Sequence, residues 1–228
     1  MAFVPASGVC RAAAVAIEAE TGLPAHLLIS ISRTETGRRT RSGASLGAWP
    51  WTLHAEGESY YFETREEAVA AARRLEARGV RSIDVGCMQI NLMHHPDAFA
   101  ALEEAFDPLV NVAYAAGFLR DLKARYGSWE QAVARYHSAD PERYEIYEAR
   151  VARVMEEERS AADSCAAAPL GPALPPAATG SLSSPCPRRP TILTALSDRP
   201  AEDGAPVAGT GQDAPRLRLV AFGAYDWL

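Results

Sequence analysis

One acid and two polar stretches stand out as able to do chemistry together. The acid is Glu35, in ISRTETGR at 31–38. Leu28 and Ile31 precede it at helical spacing, and that apolar face delivers Glu35 to the edge of a core. A carboxyl half removed from water has its charged form disfavoured, so it keeps its proton at neutral pH. That is what a general acid needs. Thr36 and Gly37 then turn the chain. The competing reading is a solvated carboxylate, or one paired with Arg33 or Arg38. The second stretch is DVGCMQIN at 84–91. Gly86 would let the backbone approach a ligand closely. Gln89 and Asn91 alternate with Met88 and Ile90, which predicts an extended piece with both amides on one face. Such amides can hydrogen-bond the acetamido and hydroxyl groups of a sugar. The third stretch is ARYHSADPERY at 134–144. There Tyr136 follows the apolar Ala132 and Val133 and can aim its phenol at the same place. Trp49, Trp51, Tyr60 and Tyr61 would line a saccharide groove, or pack as ordinary core.

Other chemistries find no support. The five histidines, His26, His54, His94, His95 and His137, form no HExxH and no zinc-ligand spacing. His94 and His95 precede Pro96 and read as a loop or groove wall. No Gly-rich phosphate loop, dinucleotide turn or GxSxG is present. A net charge of −6 and a pI near 5.4 argue against nucleic acid and anionic lipid as partners. No run approaches the roughly 18 apolar residues of a membrane span.

The elements that must position these residues are mostly helices. A first helix is expected over about 8–21, ending at Gly22. Pro24 is expected to open the next, which carries Glu35 at or just past its end. Thr64 and Glu67 form a capping box for a helix ending at Gly79. Pro96 should start a short helix with Phe99, Leu102 and Phe106. Asp107 and Pro108 open a helix with Val112, Ala115, Ala116, Leu119 and Leu122 at helical spacing, stopped by Gly127. Ser128 and Gln131 form a second capping box. Asp140 and Pro141 open a last helix through Tyr144, Tyr147, Val151 and Met155. TLHAEGESYYF at 52–62 and VRSIDVGCMQI at 80–90 read as extended. The fold class is therefore α+β, predominantly α-helical.

The composition breaks near residue 160. Ten of the sixteen prolines lie in 160–228, among Ala, Ser and Gly. Such a segment buries too little apolar surface to offset its backbone entropy, so 160–215 is expected to be disordered. The end, RLRLVAFGAYDWL, is apolar and aromatic: a short recognition segment on a tether, or a sticky tail. The expected domains are thus 1–159, carrying the chemistry, and the tail 160–228. The cysteines at 10, 87, 165 and 186 form no CxxC. Cys10 and Cys87 both fall in the folded part and are expected to pair. The start shows no apolar signal-peptide core before Glu18 and Glu20. Taken literally, such a chain stays in the cytoplasm; a removed leader or a start assigned too late is the other reading.

Taken in order, the three stretches resemble lytic transglycosylases of the soluble type, which have a goose-lysozyme-like fold. That family shows a catalytic Glu followed by Ser, then GLMQI, then YNAG. Glu35 matches the Glu, with Thr36 for Ser. Gly86, Met88, Gln89 and Ile90 match the second motif, with Cys87 for Leu. Tyr136 matches the third, with His137 and Ser138 for Asn and Ala. The resemblance covers about residues 8–155. It implies a lysozyme-like domain with a small strand-containing insertion, and Glu35 as the catalytic residue. It also implies that Thr36, Gly86, Met88, Gln89, Asn91, Tyr136 and His137 bind substrate, with no metal and no cofactor. The implied partner is the peptidoglycan glycan strand, and the implied location is the periplasm. ETGR, AWPWT, GCMQIN and YHS are similar to a specialised alphaproteobacterial branch associated with flagellar assembly and type IV secretion. The tail is similar to that of its flagellar, SltF-type members, whose extension binds rod components. The implied reaction cuts the β-1,4 bond between N-acetylmuramic acid and N-acetylglucosamine, leaving a 1,6-anhydromuramyl end. Two alternatives stand beside it. One is a lysozyme-like muramidase with Asp84, Glu56 or Glu58 as second carboxylate. The other is an inactive peptidoglycan-binding scaffold.

Overall fold

The computed structural model describes residues 6–39, 45–138 and 140–167. The expected tail, apart from its first eight positions, lies outside the described residues. Seven helices and six short strands follow in the order α1 Ala6–Thr21, α2 Leu27–Thr36, β1 Gly37–Arg39, β2 Ser45–Ala48, β3 Thr52–Ala55, β4 Glu58–Tyr61, α3 Arg65–Ala77, β5 Ile83–Val85, β6 Ile90–Asn91, α4 Leu102–Ala105, α5 Pro108–Tyr126, α6 Trp129–His137 and α7 Pro141–Ala167. The described residues as far as Ala161 make one compact unit; of a second, only residues 162–167 are described. The α+β, mainly helical fold is the one expected, consistent with a lysozyme-like domain carrying a strand insertion.

Local chemistry explains most element ends. The Thr64 side chain accepts from Glu67 N–H, and the Glu67 carboxylate accepts from Glu63 N–H. Asp107 caps α5 through Leu109 and Val110 N–H, with Pro108 in the first turn and Gly127 left-handed after the last. Ser128 caps α6. Glu56 and Gly57, both at positive φ, make the tight turn between β3 and β4.

Several boundaries differ from the expected ones. Pro24 does not open α2. The helix starts after His26, which sits at φ 70° with no side-chain cap. The buried Glu18 of α1 caps it instead, accepting from Leu28 N–H at 2.7 Å and His26 N–H at 2.9 Å. Pro96 starts no helix; α4 is confined to Leu102–Ala105. Strands β1 and β2 form an unforeseen two-stranded sheet. The last helix runs to Ala167, beyond Met155 and eight residues into the segment expected to be disordered. Its added turns, SAADSCAA, favour helix, and the backbone before Pro169 disfavours it.

Two clusters form the core. One joins α1, α2, α5, α6 and α7 around Leu28, Ile31, Met88, Leu119 and Val151. The other packs Leu53, Ala55, Ile83 and Val85, one face of the sheet ordered β4-β3-β5-β6, against Ala68, Val69, Ala72 and Leu75 of α3. Residues 86–89 link them, and they are not extended. Gly86 has φ 78° and Gln89 φ 49°, so the expected alternation of Gln89 and Asn91 on one strand face is wrong. The reason is buried Asn111 of α5. Its Oδ1 accepts from Met88 N–H at 2.9 Å, and its Nδ2 donates to Val85 and Ala105 carbonyls at 3.0 Å each. Those bonds fold the segment into a turn. Cys87 in this turn is disulfide-bonded to Cys10 of α1, the expected pair. A crosslink spanning 77 residues contributes about 4 kcal/mol by the chain-entropy account.

Gly86 meets this constraint directly. A Cβ there would stand 2.5 Å from Asn111 Nδ2 and 2.8 Å from the Ala105 carbonyl oxygen, so the glycine is demanded by Asn111 and no ligand need be invoked. Gly86→Ala is expected to destabilise the domain by about 2–4 kcal/mol, combining left-handed strain and overpacking. An unchanged urea midpoint in this variant would contradict that account.

Candidate active site

Glu35 occupies the last turn of α2, half-buried, one residue before the helix ends at Thr36. Gly37 closes that end by donating its N–H to the Arg33 carbonyl, and a Cβ on it would fall 2.2 Å from that oxygen. The Tyr147 hydroxyl, from α7, donates to Glu35 Oε1 at 2.6 Å. Burial raises the Glu35 pKa from 4.5 to about 7, and the Asp84 carboxylate adds to the rise. The Tyr147 hydrogen bond and the Arg150 charge pull the other way.

The neighbouring arginines do not neutralise Glu35. Arg33 reaches Glu157 at 2.9 Å and Glu158 at 2.6 Å on α7. Arg38 lies over the rings of Trp49 and Tyr61, at 4.8 and 5.1 Å. The acid is therefore desolvated and has no direct cationic partner among the described residues, a combination that holds a proton near neutral pH.

Around it stands an aromatic wall. Tyr136 of α6 donates its hydroxyl to the Met88 carbonyl at 2.8 Å. Its ring is stacked 6.5 Å from that of Tyr147, and the His137 ring stacks on Tyr147 at 4.9 Å. Burial pushes both tyrosines well above their ordinary pKa, so both remain donors. Desolvation, followed by the Arg150 charge, lowers the His137 pKa.

The expected binding residues divide by what their polar atoms already hold. Thr36 is buried. Its hydroxyl donates toward the Ser32 carbonyl at 3.0 Å and lies 3.3 Å from the Cys87 carbonyl, and it accepts from Trp49 N–H at 3.2 Å. Met88 has its side chain in the core, and its backbone meets Asn111 and Tyr136. Gly86 accepts from the Gln89 side chain at 3.0 Å, and Gln89 Nε2 also reaches the Thr52 carbonyl. Asn91 donates to Asp84 at 2.7 Å and Ser82 at 2.9 Å, while its Oδ1 accepts from Met93 and His94 N–H. Gln89 Nε2 and the Tyr136 hydroxyl are held by backbone carbonyls, and the His137 ring lies against Tyr147. Thr36, Gly86, Met88 and Asn91 hold the frame.

Two residues of the site were not singled out as functional from the sequence. Tyr147 reads there only as part of the apolar stripe of the last helix, and its contact with Glu35 spans 112 positions. His54 read only as an unpatterned histidine. It lies opposite Asp84 across β3 and β5, with Nδ1 3.2 Å from Asp84 Oδ2. Asn91 stands opposite Asp84 on β6, so His54, Asp84 and Asn91 form one row on the sheet face away from the second core. Of the other acids weighed, Glu56 is exposed and paired with Arg78 at 2.6 Å, and Glu58 is exposed on β4. No group of three His, Cys, Asp or Glu side chains suited to a metal occurs among the described residues. No helix among them is long and apolar enough to cross a membrane.

Residues 58–153 match the family model of the transglycosylase SLT domain. The match supports a lytic transglycosylase, a lyase acting on peptidoglycan. It spans GCMQIN, Tyr136 and Tyr147 and begins after Glu35. No curated protein and no solved structure gives a significant match to the chain. SLT-domain proteins act on peptidoglycan outside the cytoplasm.

The shifted acid links stability to pH. The folded-state pKa of Glu35 lies above its unfolded value, so between pH 4.5 and about 7 the folded state binds the extra proton. Stability from this group is complete below that window and is lost as pH rises through it. Glu35→Gln removes the dependence. Above pH 7 it should therefore be more stable than the wild type, on the order of 2 kcal/mol after allowance for solvent screening. Melting both proteins across this pH range checks the sign.

Proposed function

We propose that Glu35 is the sole acid/base of a lytic transglycosylase that cuts the β-1,4 bond between N-acetylmuramic acid and N-acetylglucosamine. The observation that carries the reading is the half-buried Glu35 carboxyl, protonated near pH 7 and held by Tyr147. As a proton donor, Glu35 protonates the glycosidic oxygen, and the N-acetylglucosamine side leaves with that proton. The muramyl C1 passes through an oxocarbenium-like state. Glu35, now a carboxylate, takes the proton from the C6 hydroxyl of the same sugar. That oxygen closes on C1 as the 1,6-anhydro ring. The nucleophile is part of the substrate, so its high effective molarity replaces an activated water. Tyr147 steadies the carboxylate between the two proton transfers. Gln89, Tyr136 and His137 border the sugar.

Asp84 supports the second reading, a muramidase using water. Its carboxylate faces the site closely enough to raise the Glu35 pKa. Two-carboxylate glycosidases need such a partner. The Asp84 carboxylate is, however, already engaged by His54 and Asn91. Glu35→Gln should lower the rate by about 10⁴-fold or more, since one group fills both proton-transfer roles. Asp84→Asn should retain substantial activity, and wild-type products should carry anhydro ends by mass spectrometry. Reducing muramic ends together with a dead Asp84→Asn would establish the hydrolase instead. A wild type that releases no glycan products would leave the scaffold reading.

The finer role proposed is local opening of the wall during flagellar or secretion-system assembly, in the periplasm, with the segment after the catalytic domain as the part that binds assembly proteins. The Pro- and Ala-rich composition and the apolar aromatic end support it. Truncation after Ala167 should keep most cleavage of purified wall and lose capture of rod or secretion-system components. Loss of folding or cleavage in the truncated chain would refute that division of labour.

A further inference from the structure

A pocket of about 160 Å³ lies between the chain around Glu35 and α7, lined by Arg33, Thr34, Gly37, Arg38, Arg150, Arg153, Val154 and Glu157; the charge of Arg150 in that lining acts on Glu35. Four arginines face one small space in a chain whose net charge is −6. Thr34 precedes Glu35 on α2, and Gly37 follows it by two residues at the start of β1. On α7, Arg150 follows Tyr147 by three residues and Arg153 follows by three more. Each step advances the helix by about 4.5 Å. The pocket therefore runs up α7 from the hydroxyl that holds the acid.

Its cations are unequally engaged. Arg33 is held by Glu157 and Glu158. Arg38 lies over Trp49 and Tyr61, at 4.8 and 5.1 Å from their ring centres. Arg150 and Arg153 are exposed and make no hydrogen bond or ion pair among the described residues. Glu157, the single carboxylate in the lining, already faces Arg33. The net chemistry is an anion site, with planar donors suited to carboxylates.

We propose that this arginine pocket binds free carboxylates of the peptide borne by the muramyl sugar, so that the protein selects peptide-bearing glycan over bare glycan. The inference rests on the reading of Glu35 as an acid acting on peptidoglycan. In that reaction the bond broken is at C1 of the muramyl ring. The peptide hangs from the lactyl group on C3 of the same ring, so it emerges within one sugar width of Glu35. An acidic peptide leaving there meets Arg150 and Arg153 first. The polar N–H edges recognise the carboxylates spaced along the peptide, whereas bare glycan offers only the single lactyl carboxylate held close to the ring.

The test is calorimetric titration of the full chain with the soluble stem peptide L-alanyl-γ-D-glutamyl-diaminopimelyl-D-alanine and with the same peptide amidated at its carboxyls. The wild type should bind the acidic peptide. R150Q/R153Q should bind it roughly tenfold more weakly or worse, the loss of one to two charge-assisted hydrogen bonds. Amidation should weaken wild-type binding to the same degree. In cleavage assays, the rate ratio of peptide-bearing to peptide-stripped glycan should fall toward one in R150Q/R153Q. No binding by the wild type at millimolar peptide, equal binding by the variant, or equal binding of the amidated peptide would each overturn the proposal. Binding is read without cleavage. Peptide binding in a chain that yields no glycan products would thus uphold the pocket and overturn the Glu35 reading alone.

Discussion

A carboxyl that is to give up a proton at neutral pH must leave water without meeting a cation. Among the described residues Glu35 satisfies both conditions, and much of the domain is arranged so that it does. Desolvation alone would leave a buried acid with an unmet oxygen, which is costly. The Tyr147 hydroxyl meets it with a neutral donor, which lowers the pKa only in part. A guanidinium in that position would have fixed the charge and removed the acid from use.

The arginine nearest in sequence is diverted by a buried clamp. Glu158 of α7 holds Arg11 of α1 and Arg33 of α2 at 2.6 Å each. Removing one partner of such a buried set typically costs about 3–5 kcal/mol, because a charge is left unpaired. The clamp has two consequences at once. It keeps Arg33 off Glu35, and it fixes α7 against α2 so that Tyr147 arrives at the carboxyl. Positioning and electrostatics are one interaction here.

The opposite wall is set by Asn111. One amide engages three backbone groups, Val85, Met88 and Ala105, and so ties the sheet to the helical core. The turn it shapes offers Gln89 and the Met88 carbonyl to the site, and the latter anchors Tyr136. Beyond it, the His54–Asp84–Asn91 row brings a held negative charge to the acid from the sheet side. Glu35 thus sits between a carboxylate that favours its protonated form and Arg150, which favours its charged form. The matched family region covers β4 to β6 and the first half of α7, but neither α2 nor β3. The case for Glu35 accordingly stands on its geometry.

Much was legible in the residues themselves. The capping box at Thr64, the Ser128 cap, the Asp107–Pro108 start and the Gly127 stop are decided within a few residues, and α3, α5 and α6 follow from them; at Ser128 the reciprocal half of the expected box does not form, because the Gln131 side chain accepts from Arg135. The apolar face of α2 was enough to place Glu35 at the core edge. What the sequence could not decide is every partner that arrives from afar. Glu18 replaces the missing cap of α2, so its start moved from Pro24 to Leu27. Asn111 overrides the alternating pattern of GCMQIN, because three buried hydrogen bonds outweigh a local preference for extension. Arg33 could have paired with Glu35 two residues away, and only the packing of α7 assigned it to Glu157 and Glu158. Tyr147 looked like core, and its hydroxyl found Glu35 across 112 residues. Local sequence set which groups were present and how each helix was cut. Tertiary structure decided which carboxyl kept its proton, because desolvation and charge depend on neighbours that only the folded chain brings together.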